Sequence, residues 1–340
     1  MKKLLNTLYV MTSGSYLSRQ GETVVVRQDD EIKLQLPIHT LSAIMCFGQV
    51  SASAPLLGFC AARKVTVSFF SMSGRFMARM VGPVSGNVLL RKAQYRRADD
   101  QAFTADIARS FILAKIANCR TVLLRASRER IGDTVLAGAA DDLKTHLLNL
   151  SEPIALDRIR GKEGDAARTY FSVFDRLITS QKEAFVFHER SRRPPLDNIN
   201  ALLSFVYTLL AHDVASALEG VGLDPAVGFL HRDRPGRPGL ALDIMEELRP
   251  FTADRLVLSL INLRQIKAEG FEKTASGAVQ MNDATRKIVL TEYQKKKQEE
   301  IRHPFLNEKV VVGLLPHIQA MLLARYLRGD LDGYPAFIFR

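Results

Sequence analysis

The chain has 340 residues and a mass of 37.9 kDa. Because a single hydrophobic core stops growing at ~250–300 residues, we expect two domains. The contents of 47% hydrophobic and 24% charged residues exclude an intrinsically disordered protein. The formal net charge of +11 favours a polyanionic partner, either nucleic acid or anionic lipid, although a basic surface without a specific role gives the same figure.

The cysteines and the apolar stretches indicate a protein of the cytoplasm. Cys46, Cys60 and Cys119 are odd in number and lack paired spacing, which is typical of free thiols in a reducing compartment. The opening MKKLLNTLYVM superficially resembles a signal peptide, but Asn6 and Thr7 interrupt its apolar run and no cleavage site follows. The longest apolar stretch, LLSFVYTLLA, falls short of the ~20 residues that a membrane helix needs, so we predict no membrane span.

The first 90 residues have the pattern of a small β domain. Residues 16–26 read YLSRQGETVVV, two short β-rich runs separated by a turn signal, and residues 32–37 alternate apolar and polar side chains. Residues 64–71 are rich in β-branched and aromatic residues. One short helix is expected over residues 53–64. Glycines between these runs are typical of turns.

Residues 91–340 have the pattern of a larger, all-helical domain, so the predicted fold class is α+β. Apolar residues recur at spacings of three and four over most of this region. The predicted helices are 91–129, 133–150, 154–179, 198–219, 240–248, 252–268, 281–300 and 309–328. Residues 1–100 hold 13 basic and 6 acidic side chains, so the β domain has the greater surplus of positive charge per residue.

Glu163 is the first candidate for chemistry. It begins an apolar stripe at helical spacing that continues through Ala167, Tyr170, Phe174 and Leu177. A carboxylate on a buried stripe needs a partner, a metal ion or a raised pKa. A frayed helix near Gly161 and Gly164, with Glu163 in water, is an equally simple interpretation.

His231 is the second candidate. It precedes RDRPGRPG, a glycine- and proline-rich loop that contains Arg232, Arg234 and Arg237. A histidine at the start of a basic loop is well placed to meet an anionic ligand or a metal ion, although a lone histidine is more often structural. The three arginines suit the geometry of phosphate groups, or they keep the loop soluble.

Acidic residues at Asp243, Glu246 and Glu247 form the third candidate. Their spacing puts like charges one helical turn apart, which is unfavourable unless a positive group lies between them. Arg249 offsets part of this charge and is also a candidate phosphate contact, and Pro250 is predicted to end the helix. Two acids and an imidazole would form an Mn²⁺ or Mg²⁺ site that is open to phosphate.

Two long segments together resemble one protein family. RIRGKEGDAARTYFSVF and DNINALLSFVYTLLAHDVASALEGVGLDPAVGFLHRDRPGRPGLALDIMEELRP are similar to the CRISPR-associated spacer-integration endonucleases, the universal adaptation proteins of CRISPR systems. The opening LYVMTSGSYLSRQGETVVV resembles the type I-C branch. The resemblance implies that Glu163, His231 and Glu246 bind Mn²⁺ or Mg²⁺. Much of the family has aspartate in place of Glu246, so Asp243, as a supporting residue, remains a second candidate for the third ligand.

The same resemblance implies a function in CRISPR adaptation. The protein is expected to be a metal-dependent DNA endonuclease and integrase that inserts short prespacer duplexes into the CRISPR array by transesterification. Its expected partners are double-stranded prespacer and repeat DNA, a second copy bound through the β domain, and a small ferredoxin-like adaptation protein in a heterohexamer. Two alternatives are a non-catalytic basic DNA-binding scaffold and an unrelated metal-dependent nucleotide phosphohydrolase.

Overall fold

A computed structural model describes most of the chain. The described residues are 6–72, 74–80, 82, 88–130 and 133–339. They divide into two compact units, residues 1–85 and 86–340, whereas the sequence pattern predicts the boundary at residues 90 and 91. The first unit is rich in strands and the second is mostly helical, which confirms the predicted α+β class.

The first unit contains two four-stranded sheets. Its described strands are β1 (Asn6–Val10), β2 (Tyr16–Gln20), β3 (Thr23–Gln28), β4 (Glu31–Pro37), β5 (Leu41–Phe47), β6 (Ser51–Ala52), β7 (Thr66–Phe70) and β8 (Phe76–Met80). One sheet has the order β1-β5-β7-β8, with β1, β5 and β7 parallel and β8 antiparallel. The other has the order β4-β3-β2-β6, an antiparallel meander to which β6 adds in parallel with β2.

Apolar side chains from both sheets and from helix α1 (Ala54–Ala62) form the core of the first unit. Leu17, Ile44 and Leu56 are completely buried in it. Cys46 and Cys60 belong to the same cluster, and both are free thiols, as expected. Burial, followed by the neighbouring Cys60, raises the pKa of Cys46 to about 12, so this thiol stays protonated.

The sequence pattern located β2, β3, β4 and β7 but not the central strand β5. Five of the seven residues of LSAIMCF are buried in succession, from Ala43 to Phe47, so both faces of this strand are covered, and β5 also has a parallel partner on each side. A strand buried on both faces has no apolar–polar alternation, so periodicity does not distinguish it from a helix.

The second unit is built from nine described helices. They are α2 (Val88–Asp99), α3 (Gln101–Glu129), α4 (Thr134–Leu148), α5 (Leu156–Ser172), α6 (Asn198–Val221), α7 (Gly239–Arg249), α8 (Arg255–Asn262), α9 (Asp283–Gln298) and α10 (Leu315–Arg328). The single helix predicted over residues 91–129 is two helices. Asp100 separates them, since its carboxylate accepts hydrogen bonds from the backbone N–H groups of Ala102 and Phe103 at 3.0 and 3.1 Å and caps α3.

Pro250 ends the α-helix α7, as predicted, because α7 stops at Arg249 and Pro250 is its C-cap, but the chain does not leave the helical conformation there. Its backbone is helical, with φ −63° and ψ −38°. Residues Pro250–Asp254 form a π-helical turn that leads directly into α8. Proline lacks the N–H group that a regular α-helix uses at this position, and the wider turn accommodates the missing bond.

The predicted all-helical character of the second unit also needs correction. Two antiparallel hairpins interrupt the helices: β9 (Phe271–Lys273) with β10 (Val279–Met281), and β11 (Glu300–Arg302) with β12 (Lys309–Val311). Each strand has three residues, too few for a period-two pattern to stand out in the sequence.

Among the described helices, α6 is the one whose length and composition would suit a membrane span. Its side chains Leu202, Val206 and Leu209 are buried within the second unit, and it packs against α7 and α10. These contacts are typical of the central helix of a helical core. The long helix α3 packs against α4, α5 and α7. This arrangement brings one face each of α3, α5 and α7 together, and the candidate site lies there.

A candidate metal site in the helical unit

Three charged side chains from three helices meet inside the second unit. Lys115 of α3, Glu163 of α5 and Glu246 of α7 form a buried group, because the Lys115 ammonium contacts both carboxylates. The nitrogen lies 2.7 Å from Glu246 Oε2 and is also hydrogen-bonded to Glu163 Oε1. Two of the three predicted site residues are therefore neighbours through one shared cation.

Glu163 does not point freely into water. Helix α5 runs unbroken through Gly161 and Gly164, contrary to the interpretation that it frays there. Ile159, Ala166 and Tyr170 are its buried residues, and Glu163 lies on the same stripe between Ile159 and Ala166. The apolar stripe therefore positions this carboxylate towards α3, although 29% of the Glu163 side chain remains exposed to solvent.

His231 faces Glu246 from the loop before α7. Its Nε2 atom lies 4.0 Å from Glu246 Oε1, while its Nδ1 atom lies 2.6 Å from Asp243 Oδ1. A histidine whose Nδ1 engages a carboxylate has a fixed ring orientation and presents Nε2 to a ligand. The structure thus places the predicted imidazole beside Asp243 and Glu246.

Asp243 organises the His231 loop rather than facing the shared cation. Its fully buried carboxylate accepts hydrogen bonds from the backbone N–H groups of Phe229, Leu230 and His231 at 2.6, 3.0 and 3.0 Å. Gly228 makes this approach possible, since a Cβ there would lie 2.8 Å from Asp243 Oδ2. These bonds use the lone pairs of Asp243, which supports Glu246 as the direct ligand.

Glu246 is almost fully buried and negatively charged. Burial alone would raise its pKa, but Arg249, Lys115 and His231 together lower it to about 2. Arg249 Nη1 lies 2.8 Å from Glu246 Oε1, so each carboxylate oxygen has a cationic neighbour. The charged state of Glu246 is thus held by surrounding cations.

The donors at this site fit a divalent metal ion. Glu246 Oε2 is buried and makes no hydrogen bond among the described residues, although the Lys115 ammonium is within charge contact. Two carboxylates and one imidazole are a donor set that Mn²⁺ accepts. Over the part of the chain that the structure describes, no three acid, histidine or cysteine side chains form a ready-made metal cage. The Lys115 ammonium lies between the two glutamates.

The acidic cluster of α7 does not act as one group. Glu247 points away from Glu246 and accepts hydrogen bonds from the Tyr334 hydroxyl and the Phe337 N–H, both at 2.6 Å. Gln319 Nε2 donates to it at 3.1 Å. Burial raises the pKa of Glu247 to about 7 even though these bonds lower it. Glu247 therefore anchors the chain after α10 and takes no part in the site.

The four arginines proposed as DNA contacts have different surroundings. Arg249 is mostly buried; its guanidinium pairs with Glu246 and lies over the Tyr207 ring, 5.0 Å from the ring centre. Arg232 and Arg234 are exposed in the loop, and Arg232 pairs with Asp157 at 3.1 Å. The Arg237 N–H closes a turn by donating to the Arg234 carbonyl at 3.0 Å.

Sequence reasoning missed two buried groups beside the site. Lys115 lies between the buried residues Ala114 and Ile116, and a lysine within such an apolar helical run is a signal that could have found it. Asp254 accepts hydrogen bonds from the hydroxyls of Tyr207 at 2.6 Å and Tyr170 at 3.2 Å. Burial raises the pKa of Asp254 to about 6.

Comparison with known proteins gives one family. The family model of CRISPR associated protein Cas1 matches residues 8–295. A CRISPR-associated endonuclease Cas1 of Chlorobaculum tepidum is 56% identical over the whole of both chains, and one of Rhodospirillum rubrum is 52% identical over the whole of both chains. The structure of a Cas1 protein from Thermotoga maritima superposes with a TM-score of 0.84 at 25% identity, covering 97% of this chain and 99% of the other.

Proposed function

This chain belongs to the Cas1 family of CRISPR-associated proteins, and we propose that it is a metal-dependent DNA endonuclease and integrase of CRISPR adaptation. Its relatives of 50% identity or more are named CRISPR-associated endonucleases, and each is matched over its full length. The family membership removes the alternative of an unrelated nucleotide phosphohydrolase. In the proposed reaction, a prespacer 3′-hydroxyl attacks a phosphodiester at the edge of a CRISPR repeat, so that a new P–O bond forms, the P–O bond to the displaced repeat strand breaks, and that strand leaves with a free 3′-hydroxyl.

One observation carries the catalytic part of this proposal. Glu163, His231 and Glu246 come from three separate stretches of sequence, yet Glu163 shares the Lys115 ammonium with Glu246, and His231 Nε2 lies 4.0 Å from Glu246 Oε1. A scaffold that only binds DNA has no need to place two carboxylates, one of them almost fully buried, in a group with an imidazole, because burying charge is costly. The arrangement is therefore better explained by a bound cation than by packing.

In the proposed mechanism, most of the work is positioning. Glu163, His231 and Glu246 would hold Mn²⁺ or Mg²⁺, which when bound polarises a phosphate oxygen and lowers the pKa of the attacking hydroxyl. Asp243 fixes the ring of His231 through Nδ1 and so directs Nε2 towards the site. Arg249 balances the charge of Glu246. Phosphoryl transfer leaves a protein little covalent chemistry, so such positioning and charge stabilisation supply most of the acceleration.

The proposed partners follow from charge and family. Double-stranded prespacer and repeat DNA fit the net charge of +11, and the surplus of basic residues is densest in the first 100 residues. We also propose that the protein forms a homodimer through the β unit and assembles with a small ferredoxin-like second adaptation protein into a heterohexamer. We further propose that it belongs to the type I-C branch and is located in the cytoplasm.

A joining assay tests the proposed function. Labelled duplex DNA is incubated with supercoiled plasmid, the protein and Mn²⁺, with and without the small companion protein, and the joined product is resolved on a gel. Glu163→Ala, His231→Ala and Glu246→Ala should each abolish joining while the protein stays folded and retains DNA, because each removes one metal ligand. Asp165→Ala is the matched control on α5, since Asp165 is half exposed and pairs with Arg168.

Two results would contradict the proposal. Full joining by any of the three ligand variants would remove that residue from the site. Calorimetry with Mn²⁺ separates catalysis from the scaffold alternative, because a scaffold gives the same binding isotherm for the wild-type protein and for His231→Ala.

A further inference from the structure

The Lys115 ammonium occupies the position where the proposed metal ligands converge. It contacts Glu163 Oε1 and lies 2.7 Å from Glu246 Oε2. Within the described residues, these two carboxylates are its only ionic partners. The lysine side chain is only 10% exposed, so water does not replace either partner. One ammonium therefore neutralises the charge of two acids that the proposed function assigns to the metal.

A divalent cation and this ammonium need the same oxygen atoms. Mg²⁺ binds carboxylate oxygens at about 2.0–2.1 Å and demands lone pairs that point at it. Arg249 lies 2.8 Å from Glu246 Oε1, and Lys115 lies against Oε2, so both oxygens of this carboxylate already face a cation. Two cations in one small buried space also repel each other strongly, because the dielectric constant there is low.

Lys115 is the cation that can move. Arg249 is held by the Tyr207 ring in addition to Glu246, and its planar guanidinium has a fixed geometry. Lysine carries its charge at the end of a flexible four-carbon chain, and Lys115 has no ring or backbone contact of its ammonium among the described residues. A metal ion that takes the two carboxylates therefore frees the ammonium and leaves the guanidinium in place.

We propose that Lys115 is a built-in counter-ion that holds Glu163 and Glu246 in the metal-free protein and competes with the divalent cation for them. This inference rests on the proposed metal site. The counter-ion stabilises the folded protein without metal, since without it Glu163 loses its ion pair and the buried Glu246 keeps only Arg249 as a close cation. It also weakens metal binding, because the cation must displace a charge that is already paired.

The affinity for Mn²⁺ tests the competition. Lys115→Met keeps the length of the side chain and removes its charge, so Mn²⁺ should bind about 10-fold more tightly or better in isothermal titration calorimetry. The melting temperature in EDTA should fall, and the increase on adding Mn²⁺ should be larger than in the wild-type protein. Lys115→Arg retains the charge, so its affinity should not exceed that of the wild type.

Lys297 supplies the matched control. It is as buried as Lys115 and pairs with Asp213 at 2.8 Å, but it lies outside the site. Lys297→Met should lower the melting temperature equally with and without Mn²⁺ and leave the affinity unchanged. If Lys115→Met does not fold in EDTA, Lys115→Gln, which keeps a hydrogen-bond donor, provides the neutral variant for the same titration.

The Lys115 variants test the competition for the metal, whereas His231→Ala tests the proposed metal site itself. Unchanged or weaker Mn²⁺ binding by a folded Lys115→Met or Lys115→Gln variant overturns the competition. If His231→Ala abolishes both plasmid joining and Mn²⁺ binding at the same time, the proposed function still stands. If His231→Ala binds Mn²⁺ as the wild type does, the metal is not at this site, and both proposals fail.

Discussion

Asp243, Glu246 and Glu247 lie within five residues of helix α7, yet each carboxylate has a different environment. Asp243 accepts bonds from the backbone of a loop, Glu246 is surrounded by cations, and Glu247 meets a tyrosine, a glutamine and one N–H group. The surrounding cations lower the pKa of Glu246 to about 2, whereas burial raises that of Glu247 to about 7 in spite of its hydrogen bonds. Adjacent residues of one type therefore acquire separate roles: a ligand candidate and a structural anchor.

The raised pKa of Glu247 predicts a stability that falls with rising pH. Its ordinary pKa is 4.5, so between pH 4.5 and about 7 the folded protein holds a proton that the unfolded chain has released. The contribution of Glu247 to the free energy of unfolding is therefore at its full value below pH 4.5. It declines as the pH rises to about 7, by about 3 kcal/mol at most. Glu247→Gln should remove this component of the slope.

Urea unfolding at several pH values measures the effect of Glu247. The unfolding free energy of the wild type minus that of Glu247→Gln should fall by up to about 3 kcal/mol from pH 4.5 to 7 and stay constant above. Asp254, whose pKa is raised to about 6, remains in both proteins and contributes equally to both curves. A difference that does not change with pH would mean that Glu247 is ionised throughout.

The site was predictable only in part at the level of single residues. Glu163 was detectable from its place on an apolar stripe and His231 from its basic loop, whereas the choice of Glu246 from the acidic cluster depended on the resemblance to a family. Lys115 gave a weak signal, because its role depends on the packing of α3 against α5 and α7. Its contact with Glu163 joins residues 48 positions apart, and no local pattern encodes such a pairing.

At the level of elements, the chain after α10 packs onto the two helices α3 and α7 that carry part of the site. Asn118 lies one turn after Lys115 on α3 and is completely buried. Its Nδ2 atom donates to the carbonyls of Glu247 at 2.7 Å and Phe337 at 2.8 Å, and its Oδ1 atom accepts from the Phe339 N–H at 3.1 Å. One amide therefore ties α3, α7 and the last described residues together.

Removal of this amide should destabilise the second unit. Asn118→Ala leaves two carbonyls and one N–H group without partners in the interior, so the unfolding free energy should fall by about 3 kcal/mol. Thr121→Ala is the control on the same helix, because the Thr121 hydroxyl bonds only to its own helix, at the Ala117 carbonyl. Its effect should stay within about 0.5 kcal/mol. Equal destabilisation of both variants in urea unfolding would contradict a stabilising role for the hydrogen bonds of Asn118.

Element boundaries were predictable where local chemistry sets them and not where packing does. Ser53 caps α1 close to the predicted start, and strands with an exposed face showed alternation. The break between α2 and α3 depends on the cap at Asp100, within an otherwise continuous helical pattern. The helical backbone of Pro250 depends on burial of the whole turn Pro250–Asp254, which the sequence does not reveal.

At the scale of the molecule, the charge is unevenly distributed, and the proposed metal ligands all belong to the second unit. Residues 1–100 hold 13 basic and 6 acidic side chains, while the buried ion network of Lys115, Glu163, Glu246 and Arg249 belongs to the helical unit. Exposed basic residues supply long-range, salt-sensitive attraction for DNA, whereas buried ones are screened little and fix local geometry. DNA binding and catalysis should therefore respond differently to salt.

The loop arginines provide a test of whether exposed basic residues, rather than the buried ion network, supply the salt-sensitive attraction for DNA. Arg232 pairs with Asp157, but both are mostly exposed, and such pairs contribute little, so a phosphate can replace the acid. Asp157 keeps Arg160 as a partner at 2.8 Å. Replacing Arg232, Arg234 and Arg237 with glutamine should weaken DNA binding and reduce the slope of log affinity against log salt by about 0.9 for each phosphate that the variant no longer neutralises.

Fluorescence anisotropy with a labelled duplex at several salt concentrations measures this slope. The control replaces three other exposed arginines of the second unit, Arg302, Arg325 and Arg328, and so matches the change in net charge. A general effect of charge lowers both slopes equally, whereas direct binding of phosphate by the loop lowers the slope of the loop variant more. An unchanged slope in the loop variant would exclude the loop from the DNA path and leave the remaining basic surface to supply the binding.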